Sequence, residues 1–403
     1  MNRTAAKTLI GVLLSSLAAG LVVSAEETAI SQVSDSQDIS LYREIIQRVE
    51  GGEGAYSSEL PEKLLSLGLA LQQQGRHAEA VTIFKRGTHL ARINDGLYSA
   101  AQIPMIRGEI GSHIALGELV EADERQQYMH KVQQRSLSNP DTRTQALMQQ
   151  ARWQYNAYRL GIGEQPYNRL LNMWDLYRGA LTDIAEREGD TSVNLLSPLN
   201  GLLQTQYLIS GYSGEQSSSS MGADTNFGAR QQQNRFNAYR SKSFQQGSAV
   251  IRAIYDIEKA QTDEQFLATA EALVMLGDWM LWHGEYDSAD QTYRQALGEL
   301  AELNDAEQQV ARLFSKPVPL PAMEGINPLP PTAAPEEADI LVEFGVSARG
   351  RVIELERVDE TDENKGSANR FLRLLRATPF RPRVEMGELV STEKRIHAYK
   401  ISN

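Results

Sequence analysis

The sequence contains no cysteine among its 403 residues. Disulfide bonds, a thiol nucleophile and thiolate metal ligands are therefore excluded. Its six histidines include no pair spaced three or four residues apart, so a helical histidine pair for a metal ion is missing. Positive charge is not in excess either, because 40 Lys and Arg residues face 52 Asp and Glu residues, a net charge of −12. This balance argues against a nucleic acid partner, and the sequence indicates no metal and no cofactor.

Motifs that carry catalysis are also scarce. Residues 51–54 (GGEG) lack the Lys-Ser/Thr pair of a phosphate-binding loop, so a flexible break is the better interpretation. Residues 211–214 (GYSG) are one residue short of a nucleophile elbow. The acidic residues form no Asp-x-Asp-x-Asp-Gly calcium loop. The sequence therefore predicts a protein that is not an enzyme.

Only residues 8–23 form a long apolar run. They follow Arg3 and Lys7 and precede the small residues Val23-Ser24-Ala25, which is the pattern of a cleaved export signal. The alternative is a retained membrane anchor, which needs about 20 apolar residues. Because the run is shorter, we expect cleavage after Ala25 and a mature protein with no transmembrane segment. Such a protein would lie in the periplasm of a Gram-negative cell.

Two segments of the chain share one pattern of apolar and small residues. A helix with apolar residues every three or four positions ends at a glycine, and a second helix follows. The defining residues of the first segment are Leu64, Gly68, Ala80 and Phe84, and those of the second are Leu273, Gly277, Ala289 and Tyr293. Each residue of the second set lies 209 positions after its counterpart, without a gap. We expect the small residues to lie where paired helices approach closely.

This pattern resembles the tetratricopeptide repeat, a helix hairpin of 34 residues. One hairpin cannot bury its own apolar face, so such units stack into an array. The resemblance implies a concave surface that binds a partner protein. The aromatic residues between 153 and 177 are expected to fill gaps between helices. The alternative is that they form a strip on the concave surface that binds a peptide or a glycan.

The end of the chain has a different character. Prolines are concentrated between 317 and 335, which predicts an extended, semi-rigid linker. Alternating apolar residues then predict two strands around Arg349-Gly350, a helix over about 367–377, and a third strand over 390–401. With the run Phe380-Arg381-Pro382 and Gly387, this β-β-α-β order resembles the C-terminal domain of the TonB family. That resemblance implies partner binding by strand addition along the last strand.

The predicted organisation is mainly α: a tetratricopeptide-like helical-hairpin array followed by a small α+β domain. The expected segments are an export signal at 1–25, a flexible N-terminal segment with a short helix at 26–57, the helical array at 58–315 with a low-complexity insert at 213–247, a Pro-rich linker at 316–337, and the TonB-like domain at 338–403.

The predicted function is a periplasmic scaffold for protein–protein interactions. The array would bind one partner, and the terminal domain would bind another by strand addition. The alternatives are an accessory component of a TonB-type transport system and a cell-wall-binding envelope-assembly factor. Partners would accordingly be proteins of the cell envelope, or peptidoglycan. The candidate partner-binding residues are Val390, Thr392, Lys394 and Ile396 on the last strand, and the arginines Arg370, Arg373, Arg376 and Arg381.

Overall fold

The computed structural model describes residues 28–163, 165–214, 227–261, 266–359 and 365–401. The chain divides into two compact units, Met1–Asp183 and Ile184–Asn403. The predicted export signal at 1–25 lies outside the described residues. Within the described ranges, no helix is both long enough and apolar enough to span a membrane.

Helices dominate both units. The α-helices, labelled α1 to α14 in chain order, are Thr28–Glu53, Leu60–Gln73, His77–Asp95, Ile103–Leu116, Leu119–Ser136, Pro140–Arg159, Pro166–Glu188, Leu196–Ser210, Phe227–Ser241, Ser243–Gln261, Phe266–Trp282, Tyr286–Ala301, Ala306–Phe314 and Lys365–Ala377. The strands, labelled β1 to β7, are Val318–Pro319, Ile340–Val346, Val352–Arg357, Phe380–Arg381, Arg383–Glu385, Glu388–Val390 and Arg395–Tyr399.

Three helix pairs, α2–α3, α4–α5 and α11–α12, are joined by the same turn. The turn glycines Gly75, Gly117 and Gly284 have φ values of +72°, +77° and +81°. The N–H of the residue after each glycine donates to the carbonyl five positions earlier, at 2.9 Å in every case. A positive φ costs glycine little, and this hydrogen bond ends the first helix. The structure is therefore an array of helix hairpins built on one local motif.

The two predicted hairpin segments pack their helices in the same way. Gly68 on α2 faces the ring of Phe84 on α3, and Gly277 on α11 faces the ring of Tyr293 on α12. A Cβ atom at either glycine would overlap the facing ring. All eight repeat-defining residues are buried. Burying such an aromatic side chain stabilises the fold by about 1.5–3 kcal/mol, which the small residues make possible.

Within the predicted flexible segment at 26–57, the expected short helix is instead one long helix, α1, which begins at Thr28 and ends close to Gly54 (φ +94°). Its second half has Ile39 and Ile46 on one face, buried against α2 and α3. The expectation of disorder considered only the polar composition of the first residues. The apolar residues at helical spacing further along give the helix a core to pack on.

The predicted low-complexity insert at 213–247 is wrong from residue 227 onward, while its residues 215–226 lie outside the described ranges. Helix α9 begins at Phe227, and α10 runs on from Ser243. On α9, Phe236 is buried and meets the ring of Tyr212 edge-on at 5.1 Å between centroids. The glutamine-rich composition suggested a loop, but glutamine is a good helix former and a few apolar positions fix the packing.

The C-terminal module is a three-stranded antiparallel sheet in the order β3-β2-β7, with α14 on one face. Phe371 and Leu375 of α14 pack with Val342 and Phe344 of β2 in a separate core. The expected last strand at 390–401 is divided: Val390 ends the β5–β6 hairpin, and β7 begins only at Arg395. The β-β-α-β order holds, with two additional short ladders.

The Pro-rich segment at 316–337 is not a free spacer. Its first residues form β1, which pairs with β4. Leu320 is completely buried, and its N–H donates to the carbonyl of Pro379 at 2.9 Å. Further along, the carbonyl of Pro331 accepts a hydrogen bond from the N–H of Lys400 at 3.0 Å. Proline removes N–H donors but keeps carbonyl acceptors, so the segment can still pair with the module that follows it.

Candidate functional site

The first unit contains a polar groove of about 760 Å³ between helices α5, α6 and α7. Side-chain amides dominate its walls. The lining residues are Gln127, His130, Lys131, Gln134, Leu147, Gln150, Gln154, Gly163, Gln165, Asn168, Arg169, Asn172, Asp175 and Leu176. These residues recur every three or four positions along each helix, which places them on one face. We call this surface the amide groove.

A buried ion pair fixes the floor of the amide groove. Arg169 of α7 donates to both carboxylate oxygens of Asp123 on α5, at 3.0 and 2.6 Å. Asp123 also accepts the indole N–H of Trp153 at 2.7 Å, and Gln154 accepts a hydrogen bond from Arg169 at 3.0 Å. These bonds hold three helices together below the groove. Such a satisfied network gives the overlying polar groups fixed positions.

Two residues that line the amide groove have a buried polar atom without a hydrogen-bond partner among the residues that the structure describes, and two amides at its rim are exposed. Within the described part of the chain, the Oδ1 atom of Asn168 is buried without a hydrogen-bond partner. Gln134 and Asn172 are exposed at the rim. Burial lowers the pKa of His130, whose Nδ1 atom also lacks a partner among these residues. A buried polar atom without a partner is costly, so a ligand that completes these hydrogen bonds would be favoured.

The chemistry of the amide groove fits the main chain of an extended peptide. Each carboxamide offers both a donor and an acceptor, as each peptide unit does. The groove-lining set contains no Phe, Trp or Tyr side chain. Trp153, Trp174 and Tyr177 are instead buried between helices.

The sequence prediction missed the amide groove because it weighed the aromatic residues of this region and not the amides. The signal was present in the spacing of Gln127 and Gln134 on α5, Gln150 and Gln154 on α6, and Asn168 on α7. Spacings of seven and four residues place the amides of α5 and α6 along one side of each helix. Only the packing of the three helices brings these rows of amides together.

The structure separates the four candidate residues of the predicted binding strand. Val390 belongs to the β5–β6 hairpin. Thr392 faces inward, where its N–H donates to the carbonyl of Val346 at 2.8 Å. Lys394 points across the sheet, with its Nζ 3.4 Å from Glu354. Of the four, only Ile396 lies on the outer edge of β7, and its side chain is exposed.

The outer edge of β7 is partly covered by the chain itself. Ala333 donates to the carbonyl of Ala398, and Lys400 donates to Pro331, both at 3.0 Å. Because backbone groups alternate along a strand, Ile396 presents its N–H and C=O on this same edge. Among the described residues, no chain segment pairs with the edge at Ile396. About half of the outer edge therefore stays open.

Arg381 is not a partner-binding residue, contrary to the prediction. It is buried, and its guanidinium donates to Asp278 of α11 at 2.9 and 2.6 Å and to the carbonyl of Leu313 at 3.1 Å. Tyr293 donates to the same carboxylate at 2.8 Å. Burial works against the charged guanidinium, but Asp278 outweighs it and raises the pKa of Arg381. The residue fastens the C-terminal module to the last helix hairpin.

The other three candidate arginines, Arg370, Arg373 and Arg376, lie exposed on the outer face of α14. The residues that the structure describes contain no group of three His, Cys, Asp or Glu side chains placed to hold a metal ion.

No protein-family model matches the sequence, and no curated protein matches it. The crystal structure of BtubC (BKLC) from P. vanneervenii is 12% identical, with a TM-score of 0.37 over 76% of this chain and 96% of that chain. The crystal structure of a variant of a Podosopora anserina putative kinesin light chain, with nearly identical TPR-like repeats, is 12% identical, with a TM-score of 0.37 over 61% of this chain and 98% of that chain. At this score, the hairpin assignment rests on the turns and contacts described above.

Proposed function

We propose that the protein is a non-enzymatic scaffold for protein–protein interactions, and that the amide groove binds an extended segment of a partner protein. The observation that carries the proposal is the amide-lined groove itself, in which the buried Oδ1 atom of Asn168 has no partner among the described residues. A peptide main chain supplies both donors and acceptors at short intervals, so it can satisfy several of these groups at once.

We further propose that the scaffold works in the periplasm and binds a second partner at the open half of the β7 edge. The export pattern at 1–25 supports the first point. The resemblance of Phe380-Arg381-Pro382 to the TonB family and the open backbone groups at Ile396 support the second. Strand addition uses main-chain hydrogen bonds for affinity. Amino-terminal sequencing of protein from the periplasm tests the export, with Glu26 expected as the first residue.

The amide groove is tested with peptides selected from a random display library on the full-length protein. For peptides that use the groove, the double variant Gln134→Ala/Asn172→Ala should weaken binding by at least about tenfold. Each lost hydrogen bond contributes roughly 0.5–1.5 kcal/mol, and tenfold corresponds to about 1.4 kcal/mol. The measurement is the dissociation constant by fluorescence anisotropy.

The matched control is Asn304→Ala/Gln308→Ala, which removes two exposed amides from the second unit. It should leave every dissociation constant within about twofold. If no selected peptide loses affinity for the groove variant, or if the control variant weakens binding equally, the amide groove is not the binding site.

A further inference from the structure

The outer face of α14 carries a compact group of cationic side chains. Arg370, Arg373 and Arg376 are exposed and follow one another at intervals of three residues. Residues three or four apart on a helix are surface neighbours, and each step rises about 4.5 Å along the axis. Leu374, four residues after Arg370, is 45% exposed within the same patch. We call these four residues the arginine face.

The arginine face is held rigidly. On the opposite side of α14, Ala368, Phe371 and Leu375 are buried against the sheet. The ring of Phe371 lies 4.9 Å from that of Tyr399 on β7. The three guanidinium groups therefore project from a helix that is anchored through its apolar side. A partner would not need to order this helix on binding, which lowers the entropic cost.

The charges of the arginine face are not balanced by the helix itself. Helix α14 contains no Asp or Glu, and the acidic residues nearest in sequence, Asp359 to Glu363, come before its start. Within the described ranges, Arg370, Arg373 and Arg376 form no ion pair, whereas Arg357 and Arg383 of the same module each bind a carboxylate. Like charges three residues apart destabilise a helix by a few tenths of a kcal/mol.

Neither of the simplest structural roles accounts for all three arginines. The helix dipole favours a cation in the last turn, which explains Arg376 but not Arg370 in the middle of α14. Arg370 donates a hydrogen bond to the hydroxyl of Ser367 at 3.2 Å, which does not neutralise its charge. Among the described residues, no contact between opposite charges compensates for this cost to helix stability, and an uncompensated local cost is expected at functional sites.

We propose that the arginine face binds an acidic segment of a partner protein. A guanidinium is a planar fork that matches a carboxylate with two parallel hydrogen bonds. Leu374, one turn after Arg370, supplies an apolar contact at the side of the cations, which a protein side chain can cover. An anionic lipid surface is the weaker occupant, because the apolar side of α14 is already buried against the sheet and cannot enter a membrane. A second copy of this chain would bind head-to-tail and form open chains.

The test uses the full-length protein and a fluorescein-labelled peptide of about twelve residues with Glu at every second position and Leu at its centre. A second peptide has Gln in place of every Glu. At about 50 mM salt, the protein should bind the Glu peptide at least tenfold more tightly than the Gln peptide. The triple variant Arg370→Gln/Arg373→Gln/Arg376→Gln should lose at least about tenfold in affinity for the Glu peptide.

The matched control is Arg107→Gln/Arg178→Gln/Arg252→Gln, which removes three exposed, dispersed arginines and changes the net charge equally. It should bind the Glu peptide within about twofold of the unmodified protein. Glutamine is a good helix former, so circular dichroism should show both triple variants folded. This result does not depend on the amide groove, whose variants should bind the Glu peptide normally.

Four outcomes overturn the proposal. The unmodified protein could fail to prefer the Glu peptide, or the arginine-face variant could bind it as tightly as the control variant does. The protein could bind phosphatidylglycerol vesicles through these arginines while ignoring the peptide, which would make the occupant a membrane. Sedimentation could show oligomers that only the arginine-face variant dissolves, which would make the occupant a second copy of the chain.

Discussion

At Gly68 and Gly277, the missing side chain allows an aromatic ring of the next helix to pack directly on the backbone. The two glycines lie 209 positions apart and face the equivalent residues Phe84 and Tyr293. The first ring is purely apolar, while the hydroxyl of Tyr293 donates to Asp278 at 2.8 Å. The same contact between a glycine and an aromatic ring therefore occurs with an apolar ring at Gly68 and with a hydrogen-bonded ring at Gly277.

The residue-scale prediction is that Gly68→Ala and Gly277→Ala each lower the free energy of unfolding by about 1–3 kcal/mol, because the added methyl group overpacks the contact. The control is Gly298→Ala on α12, where a Cβ atom meets nothing within 4 Å. There the substitution should raise stability by up to about 1 kcal/mol through helix propensity. Urea denaturation measures all three, and equal effects at the three sites would contradict this packing.

Strand β7 shows how one short element can have two different edges. Its inner edge pairs with β2 from Ile340↔Tyr399 to Phe344↔Arg395. Its outer edge meets Pro331 and Ala333 only near the C-terminal end. Because the backbone groups of successive residues point to alternate edges of a strand, the N–H of Ile396 lies on the outer edge and that of His397 on the inner edge.

The element-scale prediction compares proline at these two neighbouring positions. Ile396→Pro removes an outward N–H and should leave the urea midpoint nearly unchanged, whereas His397→Pro removes a ladder hydrogen bond and should lower it clearly. Peptides from the display library that add to this edge should lose at least about tenfold in affinity for the folded Ile396→Pro variant. Unchanged affinity of every peptide for that variant would rule out strand addition here.

At the scale of the molecule, the second unit joins a helix hairpin and a sheet module through a buried ion pair. Asp278 and Arg381 are 103 positions apart in the sequence. Removing one partner of a buried pair leaves an uncompensated charge and typically costs 3–5 kcal/mol. An exposed pair between the same two parts, Arg294 and Glu388 at 2.7 Å, is screened by solvent and contributes far less.

The prediction at this scale is that Asp278→Asn loosens the C-terminal module although the substitution lies in α11. The unfolding free energy should fall by about 3–5 kcal/mol, and amide hydrogen exchange in Ile340–Val346 should speed up. Glu388→Gln should leave both the urea midpoint and the exchange rates of this strand nearly unchanged, because the pair that it breaks is exposed. Unaltered exchange in β2 of the Asp278→Asn variant would show that the module folds independently of the hairpin.

The sequence by itself determined the local elements. Helix hairpins follow from apolar residues at helical spacing and from a glycine at each turn, because both act within a few residues. Strand β2 follows from its alternation, and helix α14 from its apolar face. The match between the two hairpins, 209 positions apart, correctly placed Gly68, Phe84, Gly277 and Tyr293 in the contacts between paired helices.

Only the tertiary structure decided which polar residues are available to a partner. Arg381 and Arg383 are separated by a single residue, yet the first is buried on Asp278 and the second is bound to Glu385 at the surface. The amides of α5, α6 and α7 form a groove only after the three helices pack. The Pro-rich segment covers part of β7 through backbone hydrogen bonds that its composition does not encode. Such contacts depend on the chain path between distant residues, and local sequence patterns carry no information about that path.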